Sequence, residues 1–214
     1  GQSEDYDTWQ SRGCPGWGYA DVLPVFCRSE GNQRLAGEFH GTKGPLKVSD
    51  LSYTHPLSRA FLRAAQEAGI PYNDDFNGRN QEGVGFYQTT IANSRRGSTA
   101  VTYLNKVRGN PLLTLRTGCD VTRLLLDGSK VLGVSWRSAD GAMHEMLARH
   151  EVILTAGAVA TPKLLLLSGI GPGKDLSSLG IPVVRDLPGV GENFQDHISA
   201  PVYGVTDRPL SLWG

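Results

Sequence analysis

The sequence predicts a mixed α/β (α+β) chain carrying an antiparallel β-meander, and three observations predict it. An apolar run, Glu151–Thr155, passes through the small pair Ala156-Gly157 into a helical stretch that stops at Ser168-Gly169-Ile170-Gly171-Pro172. Three β-rich runs, Val121–Leu126, Val131–Trp136 and Met143–Ala148, are separated by the turn pairs Asp127-Gly128 and Asp140-Gly141. Pro56–Ala68 places Leu57, Ala60, Phe61, Ala64, Ala65 and Ala68 at helical spacing, with Gly69 as a stop.

The remaining elements follow in chain order. The first fifty residues read as irregular, with turns at Gly13–Gly18 and Gly41–Pro45. A short helix is expected after Tyr19, with Val22, Leu23 and Phe26 on its apolar side, and Trp9, Trp17 and Tyr19 are expected to pack under a loop. Leu46–Val48 reads as a strand, Asp74–Gly83 as a polar loop, and Val84–Ile91 as a strand in which Gly85 eases a bulge. Ser98 or Thr99 can cap a helix through Leu104 to Val107, broken at Gly109-Asn110-Pro111. Leu113–Thr117 is the next expected strand, then the meander, then Val152–Thr155 and its helix. Pro162 is expected in that helix's first turn, where a missing N–H costs nothing.

At 214 residues the chain suffices for one large domain or pieces of two. Its 21 basic and 21 acidic side chains balance, which gives no electrostatic pull toward nucleic acid or an anionic membrane. No stretch approaches the roughly 20 apolar residues of a membrane helix. The expected location is the cytoplasm, with peripheral membrane association as the alternative. Cys14, Cys27 and Cys119 are odd in number and lack zinc-like spacing, so free thiols are expected and no metal site. The 27 glycines suit tight turns and close backbone contacts, as loops alone also do.

Several residues carry chemistry, each with a plainer alternative. The backbone of Thr155-Ala156-Gly157 could border a bound dinucleotide, because small side chains admit close approach; helix-to-strand packing explains the same residues. Val121, after Thr117-Gly118-Cys119-Asp120, lies on an extended corner or a bulge. Asn193, Asp196 and His197 could be a helix cap, a metal-binding fragment or a base–carboxylate pair. Adjacent side chains diverge, so a relay between Asp196 and His197 is disfavoured. Arg95 and Arg96 before Ser98 suit either a phosphate or a solvated turn. His40 reads as a hydrogen-bonded turn residue, and His55, His144 and His150 show no pairing spacing.

The blocks taken together are more specific. Asp5-Tyr6-Asp7-Thr8-Trp9, Pro15-Gly16-Trp17, Asp21–Phe26, Phe39-His40-Gly41 and Gly44–Val48 occur in that order. Asp74–Gly78, Gln81–Gly85, Arg95–Ala100, Gly157–Pro172 and Leu187–His197 continue the series. This series resembles the glucose–methanol–choline (GMC) family of flavin-dependent oxidoreductases, and among them choline-dehydrogenase-type and primary-alcohol dehydrogenases. The resemblance implies FAD as cofactor, with the Val121 backbone against its adenine. It also implies Thr155, Ala156 and Gly157 beside the dinucleotide, and Asn193 and Asp196 in a flavin-side loop that hydrogen bonds lock.

The same resemblance implies a layout. Residues 1–38 would follow the first flavin loop, 39–107 belong to a substrate-binding domain, and 108–197 to the FAD-binding domain with its meander. Residues 198–214 would start a return to the substrate domain. The family's Gly-x-Gly-x-x-Gly loop is not in this sequence, and its catalytic histidine is expected beyond Gly214. The chain is therefore expected to be an internal fragment, inactive alone, with no catalytic residue of its own. The implied reaction oxidises a small primary alcohol, choline-like or other, to an aldehyde by hydride transfer to flavin; the electron acceptor stays open. A same-family oxidase or lyase, or a non-catalytic scaffold that keeps the architecture, is the alternative.

Overall fold

The computed structural model describes residues 2–205. They fall into two compact units, the first ending at Thr114 and the second spanning Leu115–Val205. The expected return over 198–214 lies partly outside the described residues.

The first unit opens with a helix the sequence did not announce, α1 (Ser3–Ser11), followed by α2 (Tyr19–Ser29). Both start the same way: an Asp in the first turn accepts from the backbone N–H just before the helix. Asp5 Oδ2 accepts from Gln2 N at 2.8 Å and Asp21 Oδ2 from Gly18 N at 3.1 Å, satisfying orphan donors at the positive end of the helix dipole. Asp7 Oδ1 ties the two helices by accepting from Tyr19 N at 2.9 Å. Tyr6 packs edge-on against Trp9 and Phe26, at 5.4 and 5.8 Å between ring centroids. Trp9 and Trp17, expected under a loop, are instead 49% and 57% exposed. They meet in a T-shaped contact at 6.3 Å between ring centroids, which leaves much of each indole in solvent.

The end of α2 flows into β1 (Glu30–Asn32), which pairs in parallel with β2 (Leu46–Val48). The connection passes so close to α2 that a Cβ on Gly41 would meet the Cys27 carbonyl, and one on Gly44 the Ser29 carbonyl. Helix α3 (Pro56–Glu67) has Pro56 in its first turn, and its cap is His55, whose Nδ1 accepts from Leu57 N at 3.2 Å. The apolar spacing located α3 but misjudged its buried face. Leu62 and Ala65 are buried, whereas Leu57 and Phe61 are exposed. The expected strand Val84–Ile91 is reduced to bridges, Tyr72 with Val84 and Ser49 with Thr89. It leads into a short hairpin, β3 (Ile91–Ala92) and β4 (Arg95–Arg96), whose turn residues Asn93 and Ser94 both have φ near +55°, 51° and 58° respectively. The expected helix after Ser98 forms as a π-type turn, Ala100–Leu104, running into α4 (Asn105–Val107).

The second unit is built on the predicted meander: β5 (Asp120–Asp127), β6 (Lys130–Arg137) and β7 (Met143–Leu147), antiparallel in that order. The first hairpin turns on Gly128-Ser129, one residue later than read from sequence, with Asp127 opposite Lys130 and Gly128 at φ +54°. Register slips between Val121 and Arg123 and again between Leu125 and Leu126 mark two bulges that bend β5. Its buried Leu124 faces α5 (Gly157–Leu167), which packs on β5 and buries Leu164. Beyond α5, β8 (Ile170–Gly171) pairs in parallel with β9 (Arg185–Asp186). Between them α6 (Gly173–Ser178), absent from the sequence reading, anchors through Leu176, 1% exposed.

Two expected strands do not form: 113–117 and 151–155 are extended chain without a ladder partner among the described residues. A strand is defined by its neighbour, and apolar composition supplies only half of that requirement. Pro162 also differs. Because α5 starts at Gly157, Pro162 sits in the second turn and removes the bond that would reach the Ala158 carbonyl. No helix among the described residues is long and apolar enough to cross a membrane.

Candidate functional site

The second unit brings four of the six predicted cofactor-facing residues onto two elements in contact. Val121 lies at the start of β5, opposite Trp136, on the first strand of the meander, whose other edge has no strand partner among the described residues. Its side chain is exposed and its backbone lies at the bulge. Thr155, Ala156 and Gly157 form the exposed turn into α5, the helix that packs on β5.

Gly157 has φ +90°, a conformation L side chains resist, and the space its missing Cβ would occupy is open. The first-turn amides of α5 have no intrahelical partner by helix geometry. The Ala156 N–H is the exception, because it donates to Thr161 Oγ1 at 3.1 Å. The turn is thus fixed by a side chain one and a half turns further along, while its outer face stays open. Such an opening suits close approach of a phosphate or a planar ring to backbone.

The far end of α5 is fixed in the same manner. Ser168, 1% exposed, accepts from Leu124 N at 2.9 Å and donates to Leu164 O at 2.6 Å. Gly169 follows at φ +81°, and its C=O accepts from Val184 N and Arg185 N at 2.8 and 3.1 Å. A Cβ on Gly169 would meet the Pro182 carbonyl, and one on Gly171 the Leu166 side chain. Asp186 Oδ1 accepts from Gly173 N at 2.9 Å. The Ser-Gly-Ile-Gly-Pro block is therefore more than a helix stop. Gly169 admits the Pro182 carbonyl and Gly171 the Leu166 side chain. Thr161, inside α5, and Ser168, at its C-cap, give no local signal beyond a hydroxyl in a leucine-rich stretch.

Asn193 and Asp196 are not brought to β5 by any contact. Asn193 sits at φ +53° and accepts from Gln195 Nε2 at 3.1 Å, and Asp196 Oδ1 accepts from His197 N at 2.8 Å. These bonds are all local and exposed. Upstream, the loop is tethered by Leu187 N to Gly171 O at 2.9 Å.

The first unit holds a separate polar cluster. His40, its side chain 5% exposed, has Nδ1 at 3.0 Å from Glu30 Oε2 and Nε2 at 2.9 Å from Asp75 Oδ2. Glu30 Oε2 also accepts from Gly41 N at 3.0 Å. Nearby, Arg34 bonds Asp50 at 2.8 Å and Asp74 at 3.2 Å, and Gln88 links Asp50 to Asn32. The Gln88 amide, with Arg34 second, holds the Asp50 carboxyl below the usual carboxylate range. His40 is the hydrogen-bonded turn residue the sequence suggested, but it joins β1 to the Asp74–Gly83 loop across 35 residues. It borders a cleft of about 1120 Å³ shared with Tyr6, Tyr19, Phe26, Phe39 and Tyr72. Burial, followed by the charges of Cys27 and Glu38, raises the Tyr19 phenol above its ordinary value.

Of the remaining histidines, His144 stacks on Trp136 at 5.4 Å and lies 3.1 Å from Ser138 Oγ. Ser138 also bonds Asp140, but the serine stands between the two other groups, so the three do not form a nucleophile–base–carboxylate order. Cys14, Cys27 and Cys119 are free, and no group of three metal-ligating side chains converges among the described residues.

Residues 1–199 match the GMC oxidoreductase family profile, and the chain belongs to that family. Over 212 residues, 99% of its length, it is 43% identical to the mitochondrial choline dehydrogenase of Homo sapiens, of which it spans 36%. It is 44% identical over 202 residues to an alcohol dehydrogenase [acceptor] of Pseudomonas putida, spanning 36% of that protein. An FAD-dependent oxidoreductase from Chaetomium thermophilum superposes with a TM-score of 0.85 at 34% identity, covering 92% of this chain and 36% of that one. The chain thus spans little more than a third of the relatives it matches.

Proposed function

We propose that this chain is part of an FAD-dependent dehydrogenase that oxidises a small primary alcohol, choline-like or other, to the aldehyde. The observation that carries the reading is the open turn Thr155–Gly157 at the head of α5, the helix that packs on β5, in a GMC chain. The residues present fit a dinucleotide. Gly157 keeps its outer side clear, the first amides of α5 have no intrahelical partner, and Val121 lies on a strand at the edge of its sheet among the described residues.

FAD, when bound, supplies the acceptor for the hydride that leaves the alcohol carbon. The chain's own residues bind and orient. Val121 presents backbone N–H and C=O to the adenine edge, which specifies a flat heterocycle without demanding a particular side chain. Thr155, Ala156 and Gly157 let backbone approach the dinucleotide, and the α5 dipole favours its negative charge. Asn193 and Asp196 shape the loop on the flavin side. Residues 39–107 supply a wall of the substrate domain. No residue from 1 to 214 is assigned the proton transfer.

The test is reconstitution of the full-length protein with FAD, followed by anaerobic addition of choline or another primary alcohol. Bleaching of the flavin visible absorbance with stoichiometric aldehyde supports the reading. A folded full-length protein that takes up no FAD overturns it.

A further inference from the structure

We propose that Thr161 and Ser168 act as a two-hydroxyl bracket on α5 that sets the spacing of the flavin-nucleotide cradle; this rests on the flavin reading above. The two residues are seven apart, within about 20° of the same helix face. Each hydroxyl accepts one backbone N–H from an element proposed to border the cofactor. Thr161 Oγ1 takes the amide of Ala156, at 3.1 Å, in the turn itself. Ser168 Oγ takes the amide of Leu124, at 2.9 Å, on the strand that carries Val121.

The geometry makes α5 a gauge between the two contacts. Ser168 is saturated, because its proton goes to Leu164 O at 2.6 Å while Leu124 N–H occupies its acceptor side. Leu124 lies between the two bulges of β5, in the short paired stretch opposite Val134, and its N–H goes to the Ser168 hydroxyl. The Ser168 hydroxyl therefore ties this stretch of β5 directly to the end of α5. At the other end the turn includes a glycine at φ +90° with nothing packed on its Cβ side. That turn needs an external tether to hold one conformation, and the Thr161 hydroxyl is its side-chain tether. Both residues are positioning residues, since neither is required to touch the cofactor.

The experiment compares full-length wild type with Thr161→Val, Thr161→Ser and Ser168→Ala. FAD dissociation constants are measured by fluorescence quenching on apoprotein, and apoprotein melting is recorded in parallel. Thr161→Val keeps the shape and deletes the acceptor; loss of one orienting hydrogen bond is expected to weaken FAD binding about tenfold. Thr161→Ser restores the hydroxyl and is expected to bind within about twofold of wild type. A purely structural role predicts lower apoprotein melting with an unchanged dissociation constant, and that result in Thr161→Val overturns the bracket. Should Ser168→Ala fail to fold, the half-buried Thr161 pair still decides the matter. A wild-type protein that binds no FAD overturns the flavin reading and the bracket with it, whereas wild-type binding with an indifferent Thr161→Val removes the bracket alone.

Discussion

Three residues show how local chemistry sets the cost of change. Gly157 and Gly169 both occupy positive φ, but only Gly169 is pressed by a neighbour, the Pro182 carbonyl. Gly157→Ala should therefore cost only the left-handed strain, about 1–2 kcal/mol. Gly169→Ala adds a backbone collision and should cost more, about 3 kcal/mol or above. Denaturant midpoints of the two variants, side by side, separate conformational strain from close approach. Equal losses would contradict the packing described for Gly169. Asp50 gives a pH signature of known sign. Its folded pKa is lowered from 3.8, so its contribution is present above that value and is lost as pH falls through the depressed folded pKa. The stability gap between wild type and Asp50→Asn should therefore be steady from pH 7 to 5 and shrink below about pH 4. With half of the side chain exposed, solvent screening keeps that gap small. A gap that widens on acidification would contradict the Gln88 and Arg34 contacts.

Among elements, the coupling between distant segments rests on few side chains. His40 connects β1 to the Asp74–Gly83 loop through two carboxylates, beside the Arg34–Asp74 pair, and it is nearly fully buried. His40→Ala leaves the part-buried Glu30 and Asp75 without their shared partner, Glu30 keeping Gly41 N and Asn32 and Asp75 keeping Asn77 N, and should destabilise the unit by about 2 kcal/mol. Hydrogen exchange should then speed up selectively at the Asp74–Gly83 loop; uniform change across both units would show that His40 is not a staple. Helix α5 illustrates what element-level reading could and could not find. Its place, its leucine run and its Gly stop were legible. Its start was not, because Gly157 was taken as the turn before the helix rather than its first residue, which moved Pro162 out of the first turn. Likewise α1 was hidden, because Ser3–Ser11 has little apolar periodicity and is held by Asp5, Asp7 and edge-packed rings.

At the scale of the whole molecule, apolar surface is left open in both units. Ile153 in the unpaired 151–155 segment is 74% exposed, and Val159 on the outer side of α5 is 70% exposed. Exposed apolar edges of this kind favour association. Expressed alone, residues 1–214 should bind a hydrophobic dye and elute above the 23.1 kDa of a monomer. They should also fail to form a stoichiometric complex with FAD. A monodisperse yellow monomer would overturn both expectations at once.

The ordered blocks from Asp5 to His197 by themselves determined the family, the meander, and the turn before α5, because turn chemistry and small-residue positions are written locally. Tertiary structure alone decided which apolar runs became strands, since 113–117 and 151–155 have the composition of strands and no ladder partner among the described residues. It alone also chose the partners of His40 and Ser168, because a hydrogen bond spanning 35 or 44 residues leaves no trace in local spacing.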